Sequence, residues 1–191
     1  MMNTREVDEV EYTNAYLEAM GPYIVKADQL TKEMFFALAP LYREEYGRWQ
    51  DVTVSLFSSL HSTSENIFIL LLENAVFEAD ILLRTLMEGT AKFCYLIKGT
   101  EEEREEKYIE YKIKLGEIDR LTDHQRALEA IAILEQYSTN NTLPFRSQVL
   151  SEEEASELQQ KYPAKIRNEI KQRWNYQNLL RALAANNDPT A

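Results

Sequence analysis

The sequence predicts an all-α protein, a helical bundle of about seven or eight helices around a long central antiparallel pair. Three observations carry this. Glycine and proline number only five each in 191 residues, too few for a strand-and-turn fold. Apolar residues run from Asp51 to Lys98 with almost no punctuation. Helix-start signatures of the Ser/Thr-x-x-Glu kind recur at Thr100/Glu103 and Ser151/Glu154, where the hydroxyl and the carboxylate can each satisfy an orphan backbone N–H.

Taken in order, Val7, Val10, Leu17 and Met20 share one helical face from about Thr4. Gly21-Pro22 then predicts a stop, with Pro22 opening a second helix that runs to about Ala39 and breaks at Pro40. "LYREEYGRW" leads on as a short helix or turn, and Asp51 is a reasonable N-cap. From there to Lys98 the chain is one helix of nearly fifty residues or two. Helix-length statistics favour two, with "ENAV" (73–76) as the turn and Asn74 as its best residue. An antiparallel pair joined there would form the centre of a bundle.

Gly99 is a good C-cap, and the next helix begins with the acidic run "EEEREE" at its positive end. Thr122 with Gln125 predicts another start, "STNNTLPFRSQVL" (138–150) the longest loop, and Ser151 the cap of two last helices that separate near Trp174-Asn175. The expectation is a single helical domain over 1–191, with N-terminal helices in 1–50, a core bundle in 51–137 and C-terminal helices in 151–185.

Composition narrows the partners. Apolar residues make up 45% and the net charge is −11, so no general attraction to nucleic acid or anionic lipid is expected. Within 161–181 the balance reverses: Lys161, Lys165, Arg167, Lys171, Arg173 and Arg181 face one acid, Glu169. With Tyr162, Trp174 and Tyr176 interleaved this run could contact RNA, but a solvated face balancing the acidic run is favoured. The most apolar window, 67–87, contains Glu73, Glu78, Asp80 and Arg84, which would be costly in lipid, so no membrane association is expected. A single cysteine, Cys94, excludes an intramolecular disulfide and suits a reducing, cytoplasmic setting.

Chemistry-bearing motifs are few. The five glycines are scattered and form no phosphate loop. The lone cysteine and the two histidines, His61 and His124, have no metal-ligand spacing, so neither metal nor cofactor is expected. His61 reads as an interhelical hydrogen-bonding residue and His124 as a capping or surface residue near a helix start. The feature that stands out is "ADILLRTLMEGTAKFCYLIKGT" (79–100), an apolar helix in which Arg84 has Asp80 and Glu88 four residues to either side. On a helix the three share one stripe. If partly buried, the stripe reads first as an ion network that sets helix register. The functional reading is an anion or phosphate contact by Arg84, oriented by Glu88, or a small-ligand pocket around the stripe.

"ADILLRTLMEGTAKFCYL", preceded by "LLLENAVFEA", resembles the signature helix of an uncharacterised family of bacterial helical proteins, of the form A-x-x-L-L-R-x-x-x-E. It is also similar to the Arg-x-x-x-Glu helix in branches of the HEPN (higher eukaryotes and prokaryotes nucleotide-binding) superfamily. The resemblance covers about residues 50 to 115 and implies a compact, often dimeric helical bundle, with Arg84 and Glu88 as matching positions. Many such proteins act as RNA-cleaving toxins or defence effectors through Arg-x4–6-His. In this chain "RLTDH", Arg120 to His124, has only three residues between, and no histidine follows His124. The expectation is therefore a non-enzymatic dimerisation or interaction module of HEPN-like type, most simply a homodimer. The alternative is a ribonuclease of a toxin–antitoxin or phage-defence system, using Arg84, Glu88 and His124 or His61.

Overall fold

A computed structural model describes residues 4–38, 48–137 and 142–185. It is all-α, with no strand among the described residues. The chain divides into two compact units, Met1–Ile97 and Lys98–Ala191.

The first unit contains α1 (Thr4–Leu38), α2 (Arg48–Leu72) and α3 (Val76–Ile97). Contrary to the expected stop at Gly21-Pro22, α1 continues through Pro22. A proline inside a helix loses one N–H bond and clashes with the preceding turn, at about 3 kcal/mol. Good helix formers on both sides, and a solvent-exposed Pro22, let the helix absorb that local cost. The helix ends at Leu38, and the expected break at Pro40 lies outside the described residues. Asp51 is not the N-cap of α2, which starts at Arg48; it lies in the first turn, where its charge faces the positive end of the helix dipole.

The long apolar run is two helices, broken where the sequence places the turn. Asn74 adopts a left-handed conformation, φ 57°. The Ala75 N–H donates to the Leu70 carbonyl at 2.8 Å and the Asn74 N–H to that of Leu71 at 3.2 Å. This is the Schellman arrangement, with asparagine in the position that glycine usually takes. Ala75 then accepts the first bond of α3, from the Ala79 N–H at 3.0 Å, so three residues reverse the chain and α3 packs back along α2. The seam is close at Gly89, where an added Cβ would lie 2.5 Å from Leu60 Cδ2. Phe57 meets Phe93 across it at 5.5 Å, and Phe57 stacks on Phe35 of α1 at 6.0 Å. Thus α2 is the middle helix of this unit.

Near the start of the second unit stands Gly99, φ 97°, a conformation that favours glycine. Thr100 and Glu103 close the expected capping box on α4 (Glu101–Tyr108). The chain then widens into a π-helical turn, Ile109–Lys114, and runs on as α5 (Leu115–Gln136). The start expected at Thr122 is absent. Thr122 lies inside α5, with its hydroxyl donating to the Ile118 carbonyl at 2.9 Å, a back-bond that a helix interior accommodates. Ile118, Leu121, His124 and Ala127 form the buried stripe of α5, which packs against α6 (Leu143–Arg146), α7 (Glu152–Lys161) and α8 (Ala164–Arg173). Ser151 and Glu154 form the second expected capping box. One break was not expected: Tyr162-Pro163 separates α7 from α8, with Pro163 at the N-cap. The division near Trp174-Asn175 separates α8 from α9 (Tyr176–Ala185), as expected.

The left-handed residue at the hairpin turn is directly testable. Asn74→Gly should fold with nearly unchanged stability, whereas Asn74→Val should lose about 1–2 kcal/mol, because a branched Cβ clashes with the following carbonyl in this conformation. Denaturant titration followed by circular dichroism reads the difference.

Candidate functional site

The stripe that stood out in the sequence lies on the outer side of α3. Arg84 donates from Nε to Glu88 Oε1 at 3.2 Å, and its side chain is 84% exposed. Asp80 is exposed as well. The stripe is therefore not the partly buried network that its apolar neighbours suggested. The inner face of α3 presents Ala79, Leu82, Leu86, Gly89 and Phe93 instead, so the charges point away from the seam with α2. Around them stand Val76, Phe77, Ile81, Leu83 and Met87, all exposed. Arg84 and Glu88 are brought together as expected, but as an exposed i,i+4 pair, which contributes only a few tenths of a kcal/mol.

His61 does not join them. His61, on α2, packs its ring against Phe35 at 4.4 Å and places Nδ1 3.5 Å from Glu65 Oε2. Its Nε2 is buried with no hydrogen-bond partner among the described residues. His124 is not near a helix start. It is buried within α5, and its Nδ1 accepts from the Leu150 N–H at 3.0 Å. That bond spans 26 residues and ties α5 to the segment that opens α7. A nitrogen already engaged as an acceptor is not available as a general base.

The second unit holds polar clusters that the sequence reading missed. Glu110, turned inward by the π segment, is buried. Its two oxygens accept from Arg173 Nη1 at 2.6 Å and Trp174 Nε1 at 2.8 Å. Tyr111 lies against the Trp174 ring at 4.8 Å, and burial raises its phenol above the ordinary value. Seven residues along, Glu117 accepts from Lys161 Nζ at 2.7 Å and from the Tyr162 hydroxyl at 2.5 Å. Burial alone would raise the Glu117 carboxyl, but these two donors, with the charges of Lys161 and Arg120, hold it below the ordinary range. The Glu117 hydrogen bond in turn raises the Lys161 ammonium, against a smaller opposing effect of desolvation. Lys171 donates to Thr122 Oγ1 at 3.0 Å and pairs with Asp119 at 3.5 Å.

Three cations of the basic run, Lys161, Lys171 and Arg173, are thus matched by acids on the π turn and α5, while Lys165 pairs with Glu169 on its own helix. Tyr162 and Trp174 face the core and Tyr176 is half-buried, so two of the three interleaved aromatics are turned away from solvent. A signal for this was present: Glu110, Glu117 and Asp119 lie in one helical stretch, Lys161 at the end of α7, and Lys171 and Arg173 in α8. Nothing in the sequence alone paired them across more than 40 residues. No group of three or more metal-ligating side chains occurs among the described residues, and no helix among them is long and apolar enough to cross a membrane.

Two properties define the class: an all-α fold in which a buried carboxylate, Glu110, is met by an arginine and an indole N–H, and a helical hairpin with charges and apolar side chains on the outer face of α3. The chain belongs to a family of unknown function, DUF5677, whose pattern matches residues 50–187. The match begins inside α2, so α1 lies outside it. No curated protein and no solved structure matches the chain.

Two measurements test these clusters. Glu110→Gln keeps the volume but turns an amide donor toward Arg173, and should cost roughly 1–3 kcal/mol in denaturant unfolding. For Glu117 the folded carboxyl is held low. Its contribution is therefore fully present above the unfolded value and is lost as pH falls through the folded one. Melting temperature should drop toward acid in the wild type, and Glu117→Gln should flatten that acid limb while lowering the neutral plateau.

Proposed function

We propose that this protein is a non-enzymatic self-association module of HEPN-like type, pairing with a second copy through the α2–α3 hairpin. The observation that carries this reading is the outer face of the hairpin. Phe77 is 75% exposed, Ile81 55% and Met87 49%, with Val76 and Leu83 beside them on α3. Scattered surface leucines need no explanation, but a cluster of this kind on one helix is what interaction surfaces present. Burying a Phe or Ile side chain contributes about 1.5–3 kcal/mol, so two copies covering this face gain a driving force that one copy lacks. Matching copies are the simplest occupants, since homodimers with two-fold symmetry are the commonest assemblies.

The same reading assigns no reaction. His124 Nδ1 is engaged by the Leu150 N–H and His61 packs against Phe35, so the reading gives neither imidazole an acid–base role. The single cysteine fits a reducing cytoplasm.

Sedimentation at tens of micromolar should give the mass of a dimer. Phe77→Glu, which places a charge on the outer face without touching the core, should weaken association at least about tenfold while leaving the circular dichroism unchanged. A strict monomer in the wild type overturns the reading. RNA cleavage by the wild type that disappears in a folded Arg84→Ala variant replaces it with the ribonuclease.

A further inference from the structure

The outer face of α3 carries more than apolar surface: its charges are arranged to match themselves. Phe77, Asp80, Arg84 and Met87 follow a three-four-three spacing, the seam along which one helix meets another in a coiled-coil-like packing. All four are exposed. Ile81 and Leu83, also exposed, flank this seam on its two sides. Arg84 commits Nε to Glu88 on its own helix and keeps the rest of an 84% exposed guanidinium fork facing outward. No ion pair within the chain joins Asp80 to it among the described contacts.

From this arrangement we infer that two copies associate through antiparallel α3 helices, in a register that sets Arg84 of each against Asp80 of the other. This rests on the self-association reading above and gives it an orientation. In a parallel pair, like positions meet, so Arg84 would face Arg84 and Asp80 would face Asp80. In an antiparallel pair about a two-fold axis, contacting positions sum to a constant. The register that joins 80 to 84 also joins 77 to 87, since both sums are 164. One alignment therefore satisfies every seam position. It forms two reciprocal ion pairs at the middle and sets Phe77 against Met87 at each end, a favourable sulfur–aromatic contact. Arginine suits the central place, because its fork can engage Glu88 of its own chain and a carboxylate of the other at once. The charges set orientation and register, while the apolar side chains supply the free energy.

Charge exchange tests this on the full-length chain. Asp80→Arg gives a protein with two arginines on the seam, and Arg84→Asp one with two aspartates. Each variant alone should dimerise at least about tenfold more weakly than wild type, because like charges then meet at both central positions. Mixed one to one, the two variants should form a heterodimer of near wild-type affinity, since every central contact again joins opposite charges. All these substitutions are at exposed positions, and circular dichroism should be unchanged. If both single variants dimerise like wild type, or if both weaken and the mixture does not recover, the antiparallel register is wrong. The self-association reading is judged separately, by wild-type mass and by Phe77→Glu.

Discussion

The first unit depends on a three-residue reversal in which one asparagine takes a left-handed backbone. Without it, the apolar run from α2 to α3 would be a single rod whose inner face had nothing to pack against. With it, the two helices cover each other along one side, closely enough that Gly89 leaves no free space above Leu60. The same geometry limits what the hairpin can cover. A helix that packs on one partner buries only one stripe, and α1 contacts α2. The outer side of α3 therefore keeps its phenylalanine, isoleucine and methionine in solvent. The turn that makes the hairpin also makes the surface on which the functional proposal stands.

In the second unit the organising element is α5, and the polar chemistry there serves the fold. A buried carboxylate must be paired. The π turn sends Glu110 inward, where an arginine and an indole N–H meet its two oxygens. Glu117 is met likewise by a lysine and a phenol, and His124 by a backbone N–H. Each bond joins α5 or its approach to a segment more than 20 residues away, so these groups define how short amphipathic helices dock. π turns often accompany functional sites. Here the turn re-aims one carboxylate, and the hydrogen bonds it makes account for its presence.

Local chemistry was the legible part of the sequence. The Thr100/Glu103 and Ser151/Glu154 boxes, Gly99 and Asn74 are encoded by residues that touch their own neighbours, so spacing reveals them. Pro22 and Thr122 misled for the opposite reason. Each is a breaker or a start by local preference, but each sits in a helix long enough to absorb it. Pro163 carried a readable break that the basic run around it obscured. His124 could not be placed without the fold, because its partner is Leu150 and its burial depends on which side of α5 meets α7. The charged stripe was legible as a stripe and misread as partly buried: its apolar neighbours stand on both faces of α3, and only the packing shows which face is inside.

An exposed arginine among exposed apolar side chains weakens the surface as glue, since desolvating a guanidinium costs free energy that a leucine in its place would not. It also forbids most ways in which two apolar helices can meet. A purely apolar α3 face could slide by one turn or reverse direction with little penalty, and could pair with any other exposed helix. Placing Asp80 one turn before Arg84, between Phe77 and Met87, penalises each of those arrangements with unpaired or like charges. In the proposed antiparallel pair the stripe would exchange some affinity for a single geometry, which would account for charges at positions where affinity alone would favour leucine.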